Sequence, residues 1–152
     1  MKKKLLLTSL LLISFLTVGC ANKKGEKIIV STPNAPAAIG PYNQAIIYGS
    51  LVYTSGQIAI DPATNILVDG DITIQTHQVF KNVKAVLEAA NSSLDNVLRC
   101  NVYLADMNDF STMNDIYKTY FAEGNYPARS AVEVSGLPKG ALIEIETIAI
   151  VK

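Results

Sequence analysis

One histidine and two cysteines are all the imidazole and thiol in 152 residues, and they show no paired spacing of the kind zinc sites use. No glycine-rich run leads into a helix, which excludes a phosphate loop. Basic charge is in no excess, since 13 Lys and Arg balance 13 Asp and Glu. That balance argues against a nucleic-acid partner, which normally meets a basic footprint. No metal and no organic cofactor are expected. The longest uncharged run, Leu5 to Val18, falls short of the ~20 apolar residues a spanning helix needs.

What is present is a globular composition, 49% hydrophobic and 17% charged, long enough for one domain with a real core. Its first segment, MKKK followed by LLLTSLLLISFLTVGC, has the layout of a secretory signal over residues 1–19. Leu16 to Cys20 resembles a bacterial lipobox, with Thr17 where leucine is more usual. Cys20 would then carry the lipid, and residues 20–26 would tether a domain spanning 27–152 to a membrane. The expectation is an exported, membrane-anchored lipoprotein; the alternative is an ordinarily cleaved periplasmic or secreted protein. Loss of Lys2, Lys3 and Lys4 with the signal leaves 10 basic against 13 acidic residues, a net charge of −3. Cys100 is then the one remaining thiol. It has no partner for an internal disulfide and sits in an apolar-periodic stretch, so it is expected in the core.

Lys27 to Thr32 reads as a strand, and Gln44 to Ile47 with Leu51 to Thr54 as a hairpin around Tyr48-Gly49-Ser50. Between them TPNAPAAIGPY, with three prolines, forms a fixed loop. Apolar residues three and four apart from Ile72 to Ala90 predict an amphipathic helix. Val97 to Ala105 alternates, with Leu98, Cys100, Val102 and Leu104 facing one way. A second helix is expected from Phe110 to about Ala122, capped by Asn108 or Asp109 and ended by Gly124. Two strands follow, Ala128 to Val134 and Leu142 to Val151. The order β, ββ, α, β, α, ββ predicts an α+β sandwich in which two helices cover one face of a mixed sheet. The other face carries apolar residues such as Ile148 and Ile150 and is expected to bind further copies.

His77 falls among polar neighbours on the first helix and reads as a solvated residue rather than a catalytic base. That leaves charges inside strands. Alternation places Arg129, Ala131 and Glu133 on one face of their strand, and Glu144 and Glu146 with Ile148 on one face of the next. An arginine and a carboxylate could thus converge on one sheet face, either as a structural ion pair or as a functional pocket. Burying an ion pair costs several kcal/mol per ion, which keeps the pocket in play.

IGPYNQA (Ile39 to Ala45), YTSGQI (Tyr53 to Ile58), YLADMNDFSTMN (Tyr103 to Asn114) and PARSAVEVSGLPKGALIEIE (Pro127 to Glu146) resemble the reactive intermediate deaminase family, RidA or YjgF. The resemblance covers about Lys27 to Lys152. It implies a chorismate-mutase-like α+β subunit and a homotrimer with clefts between subunits. It also implies hydrolysis of 2-imino acids such as 2-iminobutanoate and 2-iminopropanoate to 2-oxo acids and ammonia. By the same resemblance Arg129 holds the substrate carboxylate and Glu144 handles the attacking water. Tyr42 closes the cleft, Ser55 and Gly56 form its wall, and Asn114 stands beside it. Ala131 departs from the cysteine common in the family two residues after the arginine. The export signal is a second departure, and it leaves a non-catalytic carboxylate-binding lipoprotein of the same fold as the alternative. A ribonuclease reading is disfavoured by the acidic mature chain.

Overall fold

The computed structural model describes residues 25–152. The expected signal segment, Cys20 and the tether up to residue 24 lie outside the described residues. Nine strands and two α-helices follow in the order β1 (Ile28–Val30), β2 (Ala45–Tyr48), β3 (Leu51–Thr54), β4 (Gln57–Ile58), β5 (Ile60–Asp61), β6 (Ile66–Leu67), α1 (Ile72–Ala89), β7 (Val97–Leu104), α2 (Phe110–Tyr117), β8 (Ala128–Glu133) and β9 (Ile143–Ile150). The main sheet runs β1-β2-β3-β9-β7-β8, with β4 also paired to β9, and β5-β6 forms a separate small hairpin. Among the described residues only β7 and β8 pair in parallel. They are joined by a connection that contains α2, as a parallel crossover requires. The expected mixed sheet with two helices is therefore present.

α1 begins where the Asp71 carboxylate accepts a hydrogen bond from the Ile74 N–H at 3.0 Å, an N-cap that satisfies one of the free donors of the first turn. Its stripe of Val79, Phe80, Val83, Val86 and Leu87 is fully buried, each side chain contributing about 1.5–3 kcal/mol by leaving water. α2 is shorter than its sequence suggested. A 3-10 turn at Met107–Asp109 leads into it, with Asp106 accepting from the Asn108 N–H, and a second at Lys118–Tyr120 follows it. The expected caps, Asn108 and Asp109, make no side-chain capping bond to the helix. Phe80 stacks on Tyr120 at 4.1 Å and meets Tyr117 and Phe121 edge-on, so aromatic contacts join the two helical segments.

Both helices lie on one face of the sheet, and strand alternation follows from that. In β9, Ile143, Ile145, Thr147 and Ala149 are buried, while Glu144, Glu146 and Ile148 are half-buried on the opposite, open face. β7 alternates in step from Cys100 to Leu104, but a register shift at Val97/Arg99 turns Val97 inward and leaves Leu98 exposed. This corrects the expectation for Leu98: a bulge inserts one residue and resets the alternation. The strand expected from Ala128 to Val134 is present as β8, Ala128–Glu133. β8 is the edge of the sheet, pairs only with β7, and is partly to fully exposed along its length.

Two further features position the site. The β2–β3 turn is two residues long, and Gly49 at φ 63° supplies the positive φ that such turns need. β3 and β4 then run along the same edge of β9, but their registers differ by one residue: Tyr53 faces Ile148, whereas Gln57 faces Ile145. The extra residue opens the backbone at Ser55 and Gly56. Thr54 Oγ accepts from the Thr147 N–H at 2.8 Å and bonds the Thr147 hydroxyl at 3.2 Å, which closes the interrupted ladder.

Asn82, fully buried on α1, donates to the carbonyls of Ile58 at 3.0 Å and Ile60 at 2.8 Å. Gln78 in turn donates to Asn82 Oδ1 at 3.0 Å. This side chain attaches β4 and β5 to the helix. Asn82→Ala should cost about 2–4 kcal/mol, because it strands two buried carbonyls and leaves a small void. Chemical denaturation of the variant against the parent measures it; a loss below 1 kcal/mol would show that water replaces the bonds.

Candidate active site

Arg129 stands in register with Cys100, a core residue, so its side chain points to the helix-covered side at the sheet edge. There it donates from Nη2 to Asn114 Oδ1 at 2.7 Å. Its guanidinium lies 4.3 Å from the Tyr117 ring centroid and 5.7 Å from that of Phe110. Asn114 and Tyr117 are supplied by α2, three residues apart and so on one helix face. Stacking on an aromatic face holds the guanidinium plane. Among the described residues no carboxylate pairs with it. Glu133, four residues on, is occupied by the Met107 N–H at 2.8 Å. Asn114, Tyr117, Lys118, Tyr126, Pro127 and Arg129 line an open pocket of about 470 Å³.

The wall behind the arginine is chemically quiet. Burial pushes the Cys100 thiol up to about 11, and burial likewise raises Tyr117 well above the usual phenol range. The Tyr117 hydroxyl has no oxygen or nitrogen partner, and the Cys100 sulfur is the polar group beside it. A thiol held protonated in this way is a poor nucleophile. Ala131 lies opposite Val102 and packs against the core.

Glu144 lies on the other side of the sheet. It faces Tyr103 and Ile58 in register and lines a cavity of about 270 Å³ with Tyr42, Ser55 and Gly56. Gly56 has a steric role: a Cβ built there would overlap the Glu144 carboxylate. Ser55 donates its hydroxyl to the Asn43 carbonyl at 2.6 Å, so it serves as a wall rather than as a free nucleophile. The Tyr42 hydroxyl accepts from the Ile39 N–H at 3.3 Å, and its ring is 45% exposed at the rim. Behind the rim, buried Gln44 accepts from the Thr32 N–H at 2.6 Å and donates to the carbonyls of Thr32, Ala35 and Pro36.

The two carboxylates of β9 have different surroundings. Glu146 Oε1 accepts from Asn101 at 2.7 Å and from the Tyr103 hydroxyl at 3.0 Å. No donor reaches Glu144 among the described residues. Burial and then the Glu146 charge hold Glu144 above the usual carboxylate range. A carboxylate with raised proton affinity and free lone pairs can accept a proton from water.

The expected site residues thus gather in two groups, Arg129 with Asn114, and Glu144 with Tyr42, Ser55 and Gly56. These groups occupy opposite faces of the sheet. The expectation that Arg129 and Glu144 converge on one face is corrected, because β8 reads its alternation from β7 and β9 from the core. Within one subunit the two therefore do not form a structural ion pair. Sequence reasoning missed Tyr117, Phe110, Gln44 and Asn82. The three-residue step from Asn114 to Tyr117 was a usable signal for the first of these; Gln44 and Asn82 gave none, since their partners are carbonyls of remote segments. His77 is exposed as expected, and bonds the Tyr120 hydroxyl at 2.7 Å.

Fold and site together define a small α+β sandwich that presents an unpaired arginine on one side and an unbonded carboxylate on the other. Such a chain belongs to the RidA/YjgF family, and the family model described as Endoribonuclease L-PSP matches residues 32–151. A RutC family protein of Pyrococcus horikoshii is 57% identical over 81% of this chain and 97% of its own. The 2-iminobutanoate/2-iminopropanoate deaminase of Rattus norvegicus is 50% identical over 80% of this chain and 88% of its own. A crystal structure of a conserved Rid family protein from Yersinia pestis superposes with a TM-score of 0.81 at 51% identity, covering 83% of this chain and all of that one.

Gly56→Ala should push the Glu144 carboxylate off its seat toward solvent. Its pKa, followed by carbon-detected NMR titration, should fall back toward the ordinary glutamate range of about 4.3. An unchanged titration would mean that the backbone at Ser55 and Gly56 yields instead.

Proposed function

We propose that this protein hydrolyses 2-imino acids, including 2-iminobutanoate and 2-iminopropanoate, to 2-oxo acids and ammonia in a cleft shared by neighbouring copies of a homotrimer. The observation that carries this reading is the division of the site: an arginine with no carboxylate partner and a glutamate with no donor, on opposite faces of one sheet. A neighbouring copy that lays its Arg129 edge against the Glu144 cavity unites them. Exposed Tyr53, Leu98 and Ile150 on the open face support burial of that face between copies.

The planar fork of Arg129 takes the substrate carboxylate in two parallel hydrogen bonds. Asn114 and Tyr117 keep the fork in place. A water held by Glu144 attacks the carbon of the protonated imine, one water proton passes to the carboxylate, and a neutral carbinolamine forms. Return of that proton to nitrogen makes an ammonium leaving group; the C–N bond breaks as the carbinolamine hydroxyl becomes the carbonyl and gives its proton back to Glu144, which releases ammonia and the 2-oxo acid. Water is the nucleophile, so Ala131 in place of a cysteine does not remove a required group. The lipid anchor at Cys20 would set this activity outside the cytosol.

A second reading is a carboxylate-binding module without turnover. It is favoured by the Arg129 pocket being built entirely from β8, α2 and the segment between them in a single chain. Ammonia release from imines generated by an amino-acid oxidase separates the two. Acceleration by the mature protein, lost in Arg129→Ala, is the outcome expected of the enzyme; retained 2-oxobutanoate binding at the uncatalysed rate of hydrolysis identifies the binder.

The deprotonated Glu144 is the active form, so kcat/KM should rise with pH through its pKa. The acid limb should lie above the ordinary glutamate value of about 4.3, because burial and Glu146 raise it. Glu144→Gln should remove the limb and most of the rate together. A limb at or below the ordinary value would assign the proton transfer to another group.

A further inference from the structure

The open face of the sheet carries a polar island that the proposed reaction does not use. Arg99, Asn101 and Tyr103 of β7 stand opposite Ile148, Glu146 and Glu144 of β9, and alternation turns these side chains away from the helices. Arg99 donates from Nε to Asn101 Oδ1 at 3.2 Å, and Asn101 donates from Nδ2 to Glu146 Oε1 at 2.7 Å. Tyr103 donates to the same oxygen at 3.0 Å. Arg99, Asn101 and Glu146 share a hollow of about 180 Å³ with Tyr53 and Ile148, separate from the cavity that Glu144 lines.

Within one chain the island is only half satisfied. Asn101 stands between the two charges and relays them to each other without letting them pair. The terminal nitrogens of Arg99 and the Oε2 of Glu146 have no partner among the described residues. In water this costs little, because water supplies the missing bonds. The surroundings, however, include exposed Tyr53, Leu98 and Ile150, and the shared cleft requires this face to be covered. Covered by apolar surface alone, both charges would lose their hydration with nothing in exchange. A covering copy brings the same two charges. Arg129 and the Glu144 cavity lie on opposite faces, so copies that share a cleft meet head to tail, each giving one surface to one neighbour and another to the next.

We propose that Arg99 of one copy pairs with Glu146 of the next, a charged contact that fixes the register in which the open faces meet. The inference rests on the shared-cleft reading for its second copy, but not on the chemistry of that cleft. Apolar contacts are non-directional and would let the faces slide. One charge pair set among them penalises every register that leaves either charge alone. The guanidinium fork suits the free carboxylate oxygen and keeps its charge when covered. Register matters here because it decides whether the Arg129 edge of one copy reaches the Glu144 cavity of another. Glu144 is not the partner of Arg99, since it lies against Gly56 inside that cavity, where the Arg129 fork has to approach.

Sedimentation of the mature protein across a dilution series, with charge reversals, tests the pair. Arg99→Glu and Glu146→Arg should each raise the concentration at which copies separate by about a hundredfold or more, because each sets like charges against one another. The double reversal should return that concentration to within about tenfold of the parent's. The Asn101 amide can turn end for end and serve the swapped charges. Glu146→Gln keeps an acceptor for Asn101 and Tyr103, so the chain's own fold is spared, and it should still weaken assembly by about tenfold. A parent that stays monomeric at every concentration overturns the shared cleft and the pair with it. A parent that assembles, with all three single variants unshifted, overturns the pair and leaves the cleft standing. Single reversals that weaken assembly without recovery in the double also overturn the pair, since they show a face that tolerates no change rather than two partners.

Discussion

The packing of α1 and α2 on a single face of the sheet decides where every strand side chain of this protein falls. Once Val79, Phe80, Val83, Val86 and Leu87 are buried against Val52, Val102, Ile143 and Ile145, the period of two in each strand leaves no freedom. Glu144 and Glu146 must face away from the helices, and Arg129, in register with Cys100, must face toward them. The division of the site into two halves is a consequence of that packing and not a local accident. It also explains why a second copy enters the functional reading at all.

Buried polar side chains then fix the irregular segments that the packing alone would leave loose. Gln44 fastens the proline-rich loop, Asn82 the short strands after Gly56, and the Thr54–Thr147 pair the break between β3 and β4. Each replaces a missing ladder of backbone bonds with bonds from a side chain, which buried carbonyls and amides require. The cavity beside Glu144 exists because the ladder is interrupted there. Continuous pairing of β3 and β4 along β9 would fill it with backbone.

Much of the architecture was legible in the residues. Helical spacing located α1, alternation located β7 and β9, and Gly49 marked the hairpin. The strands β4, β5 and β6 were not legible, because two-residue strands carry no periodicity to read. The bulge at Val97/Arg99 inverted the expectation for Leu98, and an inserted residue of this kind leaves no mark in the composition. Arg129, Glu144, Tyr42, Ser55, Gly56 and Asn114 were all singled out in advance through the motif that they form. Their grouping was not, since alternation gives the face of a residue relative to its own strand and says nothing about which face the helices cover.

The sequence by itself determined the family, the α+β order, and the identity of the two charges on which the chemistry is proposed to turn. Those properties are local: they reside in spacing, in turn residues, and in motifs of four to twenty consecutive positions. Only the tertiary structure decided that Arg129 stacks on Tyr117 without a carboxylate partner, that Glu144 is left without a donor while Glu146 takes two, and that they lie on opposite sides of one sheet. These follow from strand register and from the side on which the helices pack. Both are set by the burial of residues far apart in the chain, and no stretch of sequence contains them.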